Sequence, residues 1–175
     1  MNRGYKGANV NLTQAELKEV LRYEPRTGKF FWAKSMPPRG RVGQEAGWVA
    51  PYATGKRIKI AIRGTEFPAH RLAWLYMTGE WPKQEIDHRD GDGTNNRWAN
   101  LREATSSENL RNCPAPRTNT TGHKGTCFDK KTGKFIAGLR VNGRRMNLGS
   151  FETHEEAIRA YRAAARKHHG EFAKW

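Results

Sequence analysis

The stretch that decides the fold is residues 85–109, which read EIDHRDGDGTNNRWANLREATSSEN. It predicts a short strand at 85–88, a tight loop rich in Asp and Gly, and a returning strand at 100–102. A capping box from Thr105 to Glu108 then predicts the start of a helix. The stretch therefore indicates the order strand, loop, strand, helix.

The polar residues of this stretch are suited to one kind of chemistry. Hydrolysis of a phosphodiester needs a cation to neutralise developing negative charge and a base to activate water. Carboxylate and amide oxygens suit Mg²⁺, and a histidine that titrates near neutrality suits the base. Adjacent strand residues point to opposite sides, so Asp87 and His88 can serve one site only if the strand ends or bulges at residue 88.

Two other interpretations of the stretch are weaker. A calcium loop starting at Asp90 would need Gly at its sixth position, where Asn95 stands, and its closing Glu is missing. A polar hairpin without chemistry explains each residue taken singly, because Asp-Gly and Asn-Asn pairs are frequent in turns. The combination of these residues at this spacing favours phosphodiester hydrolysis over both alternatives.

The same residues resemble the HNH endonuclease family, and most closely its phage-type branch, which includes homing endonucleases. The resemblance covers about residues 67–112. It is carried by His70-Arg71-Leu72, Asp87-His88, Asp90-Gly91, Asn95-Asn96, Asn100-Leu101-Arg102 and Glu108-Asn109.

The resemblance implies a ββα-metal motif and assigns roles within it. Asp87 and Asn109 are the implied ligands of one divalent ion, Mg²⁺ or Mn²⁺. His88 is the implied general base, and Asn100 the brace that holds the loop and orients His88. The expected activity is that of a metal-dependent DNA endonuclease, a site-preferring nicking or homing-type enzyme.

Other polar residues receive lower rank. Asn95 and Asn96 are secondary candidates for bracing the loop. His70 lies among apolar residues, so a packed structural histidine is favoured over a second metal ligand. Cys113 and Cys127 belong to no Cys-x-x-Cys pair, so we expect free thiols and no structural zinc.

Charge is distributed in three blocks. Residues 1–69 carry 13 Lys/Arg and 5 Asp/Glu, and residues 113–175 carry the same numbers, whereas residues 70–112 carry 6 and 7. Two basic flanks around an acidic centre predict double-stranded DNA as the partner. A basic soluble protein without chemistry, a non-catalytic DNA-binding regulator and an RNA-binding protein remain as alternatives.

The last third of the chain has a β-β-β-α pattern. We predict strands at 125–128, 135–141 and 145–148, with Asn-Gly as a hairpin turn before the third, and a helix opened by Thr153. This segment resembles the AP2 DNA-binding domain, which implies that its sheet contacts DNA. The implied contacts are Lys124, Lys134, Arg140, Arg144, Arg145 and Asn147.

The N-terminal part is predicted to be mixed. We expect a helix that opens at a capping box on Thr13 and ends near Tyr23, a strand ending at Trp32, a strand over 58–62 and a helix over 69–77 closed by Gly79. The tetrapeptide Thr-Gly-Lys-Phe occurs at 27–30 and again at 132–135. We interpret the repeat as one hairpin turn used twice rather than as a duplicated module.

The predicted fold class is α+β. Its expected parts are an N-terminal basic extension (1–66), the catalytic segment (67–112), a linker (113–121) and the AP2-like domain (122–175). Only 36% of the residues are apolar, which favours small modules over one large core. The start of the chain has no apolar signal segment, so we expect an intracellular protein in a bacterium or phage-infected host. No long heptad repeat is present, so we expect a monomer, and no apolar run approaches membrane-spanning length, so we expect no membrane segment.

Overall fold

The computed structural model describes residues 12–36, 40–52, 55–113, 115 and 119–174. The chain divides into two compact units, Met1–Ala104 and Thr105–Trp175. Both helices and strands occur in each unit, so the fold is mixed α and β. Of the predicted linker, residues 114 and 116–118 lie outside the described residues. No helix within the described ranges is long and apolar enough to cross a membrane.

The first unit contains three antiparallel sheets and two α-helices in its described part. The sheets pair β1 with β2, β4 with both β3 and β5, and β6 with β7. In chain order the elements are α1 (Gln14–Val20), β1 (Leu21–Glu24), β2 (Lys29–Trp32), β3 (Trp48–Tyr52), β4 (Gly55–Ile62), β5 (Thr65–Pro68), α2 (Ala69–Thr78), β6 (Glu85–His88) and β7 (Leu101–Ala104).

Helix α1 is shorter than predicted. It begins at the predicted capping box on Thr13 but ends at Val20, and Tyr23 lies in β1. The pairing of Tyr23 with Phe30 across the hairpin places their rings 4.7 Å apart, a contact that the helical continuation would lose. Aromatic cross-strand pairing therefore overrides the helical pattern.

Strands β3 and β5 are absent from the sequence prediction. Four of the five residues of β3 are exposed, and its Pro51 is a residue that sequence rules assign to an edge or a loop. Strand β4 is longer than predicted, beginning at Gly55, whereas α2 ends as predicted at Gly79, whose φ is +85°.

The expected boundary at residues 66/67 is wrong. One core joins residues on both sides of it, including Leu17, Phe30, Ile60, Leu72 and Ile86, each at most 3% exposed. Strand β5 also runs directly into α2. The predicted N-terminal extension is therefore part of the same folded body as the hairpin that carries Asp87 and His88.

The second unit has the predicted β-β-β-α order. Its elements are α3 (Ser106–Asn112), β8 (Thr126–Asp129), β9 (Lys134–Val141), β10 (Arg144–Phe151) and α4 (His154–His169), with the antiparallel sheet order β10-β9-β8. Asn142 and Gly143 form the predicted turn, with φ of +49° and +79°. Ala137, Ala157 and Ala165 are completely buried, since small side chains let α4 lie close on the sheet.

Helix α3 falls in the second unit, although it was predicted to close the catalytic segment 67–112. The ammonium of Lys124 donates to the carbonyls of Leu110, Arg111 and Cys113 at 2.7–3.3 Å. These bonds satisfy carbonyls at the C-terminal end of α3 that a helix leaves without partners. They fix α3 to the β8 side of its own unit.

Candidate active site

The hairpin of β6 and β7 carries Asp87 and His88 at its end. Its register pairs Asp87 with Arg102 and His88 with Leu101, and β6 ends at His88. The strand therefore ends at His88, as predicted for two adjacent residues that serve one site. Asp87 and His88 are buried, at 3% and 5% exposure.

Asp87 is held by a buried ion pair with its cross-strand neighbour. Its Oδ2 accepts from Arg102 Nε at 2.9 Å and lies 2.7 Å from Nη2. A buried carboxylate is strongly destabilising without such a partner, and Arg102 supplies the opposite charge beside it. The sequence contains Arg102 in the motif but gives no sign of this role.

The loop after β6 is tied together by Asp90 and Asn100. Asp90 accepts from the backbone N–H of Asp92 at 2.8 Å, from Asn95 Nδ2 at 2.6 Å and from Asn100 Nδ2 at 3.0 Å. Asn100 in turn accepts from the Asp90 N–H at 3.1 Å and donates to the Asn95 carbonyl at 2.7 Å. Burial raises the pKa of Asp90, but these hydrogen bonds outweigh it and leave the pKa below its ordinary value.

The imidazole of His88 is contacted by Asn96. His88 Nε2 lies 3.1 Å from Asn96 Oδ1, and Asn96 is 2% exposed. Asn96 Nδ2 donates to the Thr94 carbonyl at 3.3 Å, which orients the amide so that its oxygen faces the histidine. The orienting contact that the sequence assigned to Asn100 is thus made by Asn96, while Asn100 holds the loop.

The N-terminal hairpin supports the peptide of Asn96. Tyr23 Oη donates to the Asn96 carbonyl at 2.6 Å, and the Trp98 N–H donates to the Pro25 carbonyl at 3.0 Å. A Cβ on Gly28 would lie 2.4 Å from the carbonyl carbon of Asn96, so the turn packs directly against this backbone. Sequence reasoning missed this support, because nothing local in 23–28 indicates a distant contact.

His70 lies against His88 inside the first unit. Their ring centroids are 5.1 Å apart with the planes at 75°, and His70 is 3% exposed. Burial is the main cause that lowers the pKa of His70 well below its ordinary value, and the charge of His88 when it is protonated and the charges of Arg57 and Arg71 act in the same direction. The packed histidine favoured by the sequence is therefore what the structure contains.

The pKa of His88 is also depressed. Burial lowers it, the hydrogen bond with Asn96 raises it in part, and Arg57 lowers it again. The net pKa lies below the ordinary value, so the imidazole is neutral at physiological pH and has a lone pair that can accept a proton.

Asn109 lies on α3 in the second unit, where its backbone N–H donates to the Thr105 carbonyl at 2.9 Å. Among the described residues, no group of three or more His, Cys, Asp or Glu side chains could hold a metal ion. The Asp87 carboxylate of the first unit and the Asn109 amide oxygen of the second are each of a ligand type that suits Mg²⁺, which retains several waters and takes few protein ligands.

The candidate DNA contacts of the second unit do not all share one face. The register pairs Arg145 with Arg140 and Asn147 with Gly138, which places these side chains opposite the buried Ala137 and Leu139. Lys134 is also on this outer face and pairs with Glu152 at 2.7 Å. Arg144 faces Val141 on the other side, and Lys124 is engaged by the carbonyls of α3.

The chain is similar to one family model, one phage protein and one solved structure. A family model described as HNH endonuclease matches residues 67–111. Protein 3.8 of Escherichia phage T7 is 34% identical over 107 residues, which are 61% of this chain and 88% of that protein. A solved structure of the HNH homing endonuclease I-HmuI, from work on DNA binding and cleavage, aligns with a TM-score of 0.39 and 21% identity over 85% of this chain and 84% of that chain.

Proposed function

Because the chain belongs to the HNH endonuclease family and is a DNA-cleaving hydrolase, we propose that it is a metal-dependent enzyme that nicks double-stranded DNA at preferred sites. The observation that carries the proposal is the pair of buried residues at the end of β6. His88 is held by Asn96, and Asp87 is held by Arg102.

His88 is the general base in this proposal. The amide of Asn96 presents its oxygen to Nε2, so the neutral ring carries its hydrogen there and its lone pair on Nδ1. Nδ1 then takes the proton from the water that attacks phosphorus. The depressed pKa of His88 keeps this lone pair available at neutral pH.

Asp87 and Asn109 are the proposed ligands of one divalent ion, Mg²⁺ or Mn²⁺. When bound, such an ion supplies positive charge to the phosphate oxygens as they become more negative. The support for this assignment is the chemistry of the donors and the family resemblance. The ion pair with Arg102 fixes the direction of the Asp87 carboxylate before any ion arrives.

The sheet of the second unit is the proposed AP2-like grip on DNA. Its outer face carries Arg140, Arg145 and Asn147, and Arg140 and Arg145 are exposed. Cationic side chains on phosphates release counterions, which gives affinity that depends strongly on salt. Lys124 is omitted from the proposed contacts, because its ammonium has three carbonyl partners.

One chain carries one Asp-His…Asn set, so a monomer is proposed to cut one strand at a time. The test is incubation of supercoiled plasmid with Mg²⁺ or Mn²⁺, with EDTA as the control. Open circles that precede linear product, and only with metal, are expected. Binding without cleavage would favour a non-catalytic regulator, and direct conversion to linear DNA by a dimer would favour paired active sites.

A further inference from the structure

Arg57 lies beside the proposed site without belonging to the motif that defines it. In the register of β4 with β5, Lys59 faces Pro68 and Ile60 faces Phe67. Strand β5 ends at Pro68 and runs directly into α2, whose second residue is His70, the histidine that packs against His88. The position of Arg57 is therefore set by the sheet, three elements earlier in the chain than β6 and its loop.

Strand β4 also contacts the loop that follows His88. A Cβ on Gly93 would lie 2.4 Å from the Lys56 carbonyl oxygen and 3.0 Å from Arg57 Cγ. Only glycine allows the loop to approach the strand this closely. The stem of Arg57 is thus in contact with the loop whose residues orient the base.

The guanidinium of Arg57 is held by an aromatic ring. It lies 3.7 Å from the ring centroid of Tyr52, which is on the same face of the β3–β4 hairpin and 51% exposed. A stacked guanidinium loses little freedom when its N–H groups bind an anion, because one face is already fixed.

Within the described ranges, the charge of Arg57 is not neutralised by an ion pair. In the part of the chain that the structure describes, no carboxylate lies within ion-pair distance of Arg57, whereas Arg102 pairs with Asp87 and Lys59 with Glu66. Burial is the main cause of the low pKa of His70, and the positive charge of Arg57 lowers it further. This effect agrees with the contact between the stem of Arg57 and the loop after His88, which places Arg57 beside the site.

We propose that Arg57 is a catalytic residue that binds the non-bridging oxygens of the phosphate being cut, held in place by the ring of Tyr52. This inference rests on the proposed function. Water forms the new P–O bond as one P–O ester bond breaks, His88 takes the proton of the water, and the leaving oxygen takes a proton from solvent. Negative charge grows on the non-bridging oxygens during this step, and the fork of N–H groups on Arg57 stabilises it.

The test compares variants of the full-length protein in single-turnover plasmid nicking with saturating enzyme and Mg²⁺, beside DNA affinity measured in EDTA. Arg57→Ala is expected to lower the nicking rate by about 10²-fold. Its affinity is expected to fall by less than about tenfold, because one phosphate contact among many is lost. Arg57→Lys keeps the positive charge but lacks the fork of N–H groups, and its nicking rate is expected to lie between those of the wild-type protein and Arg57→Ala. Tyr52→Leu keeps the charge of Arg57 but removes the ring that holds it, and is expected to lower the nicking rate.

Arg22 provides the matched control, since it is exposed, lies on β1 and stacks at 4.9 Å over Phe31. Arg22→Ala is expected to nick at the wild-type rate. A wild-type rate for Arg57→Ala at saturation, with or without weaker binding, overturns the catalytic role. If Arg57→Ala does not fold, as judged by circular dichroism, a full rate for Arg57→Lys overturns it instead. Failure of the wild-type protein to nick overturns the proposed function as well, so the two failures are distinguishable.

Discussion

The tetrapeptide Thr-Gly-Lys-Phe closes a hairpin in each of the two units. In the first unit Gly28 has φ of +76° and its N–H donates to the Glu24 carbonyl at 2.8 Å. In the second, Gly133 has φ of +70° and its N–H donates to the Asp129 carbonyl at 2.9 Å. The same four residues therefore form the same turn, which agrees with the interpretation as turn chemistry used twice.

The surroundings of the two turns differ completely. A Cβ on Gly28 would lie 2.4 Å from the Arg97 nitrogen, whereas a Cβ on Gly133 would meet nothing within 4 Å. The first unit uses its turn to support the backbone that presents Asn96 to His88, and the second exposes its turn. Local sequence thus determines the turn, and the tertiary contacts determine what the turn does.

The largest expected difference comes from replacing each glycine by alanine. Both variants bear the strain of a positive φ, about 1–2 kcal/mol. Gly28→Ala also overpacks the Asn96–Arg97 peptide, which costs about 1–3 kcal/mol more and shifts the Asn96 carboxamide. Displacement of a catalytic group by about 1 Å costs about 10²-fold in rate, so we expect a loss of that size for Gly28→Ala and none for Gly133→Ala.

Urea unfolding followed by circular dichroism measures the stability of both variants, and tryptophan fluorescence reports on the first unit, because five of the six tryptophans lie between residues 32 and 98. Plasmid nicking measures the rate. Equal stabilities and equal nicking rates for the two alanine variants would show that the contact between Gly28 and the loop is not needed.

A smaller difference is expected from removing one hydroxyl in each unit. Tyr23→Phe leaves the buried carbonyl of Asn96 without its hydrogen-bond donor at 2.6 Å, which lowers the free energy of unfolding by about 1–2 kcal/mol. The contact of Asn96 with His88 is then held less firmly. Tyr161 is also buried, but within the described ranges its hydroxyl has no hydrogen-bond partner, so Tyr161→Phe should change stability by less than about 0.5 kcal/mol. Chemical denaturation of both variants checks this; a larger loss in Tyr161→Phe would contradict it.

The first unit should also lose stability in mild acid. Burial is the main cause that holds the pKa of His70 well below its value in the unfolded chain, about 6.5. The unfolded state therefore binds the proton first, so stability is fully present above pH 6.5 and decreases as the pH falls from there toward the folded-state pKa. Urea unfolding at pH 7.5 and pH 5.5 measures the slope, and His70→Leu should reduce it. An unchanged slope in that variant would assign the effect to other groups.

The smallest expected effects are those of single cations on the sheet of the second unit. Arg140→Gln removes one exposed charge from the outer face and should reduce the slope of log affinity against log salt by about one. Arg144→Gln, on the opposite side of the sheet, is the matched control and should change the slope less. Fluorescence anisotropy with labelled duplex DNA measures both, and a larger effect of Arg144 would place the DNA on another surface.

The ends of several elements could be read from the sequence, because their signals are local. Capping boxes at Thr13, Thr105 and Thr153 begin helices as predicted, and Gly79 ends one. The strand carrying Asp87 and His88 was predictable for a different reason, since the spacing of its motif is specific.

The missed features depend on contacts between distant segments. Asn96 and Asn100 have the same side chain, and only the path of the loop decides which one reaches His88. The hydrogen bond from Tyr23 to the Asn96 carbonyl links residues 73 positions apart. The stacking of Arg57 on Tyr52 depends on strand β3, which was not predicted because four of its five residues are exposed. Such contacts follow from packing, which no local pattern in 23–57 encodes.

The central claim is that the buried His88 carries out the chemistry while DNA is held elsewhere. Its most direct test is the single-turnover nicking rate of His88→Ala at saturating enzyme, measured beside its affinity for the same DNA. We predict that this variant forms no open circles while the wild-type protein completes the reaction, with affinity unchanged within about threefold, because the residue acts on water rather than on phosphate. Nicking by His88→Ala at the wild-type rate would contradict the account.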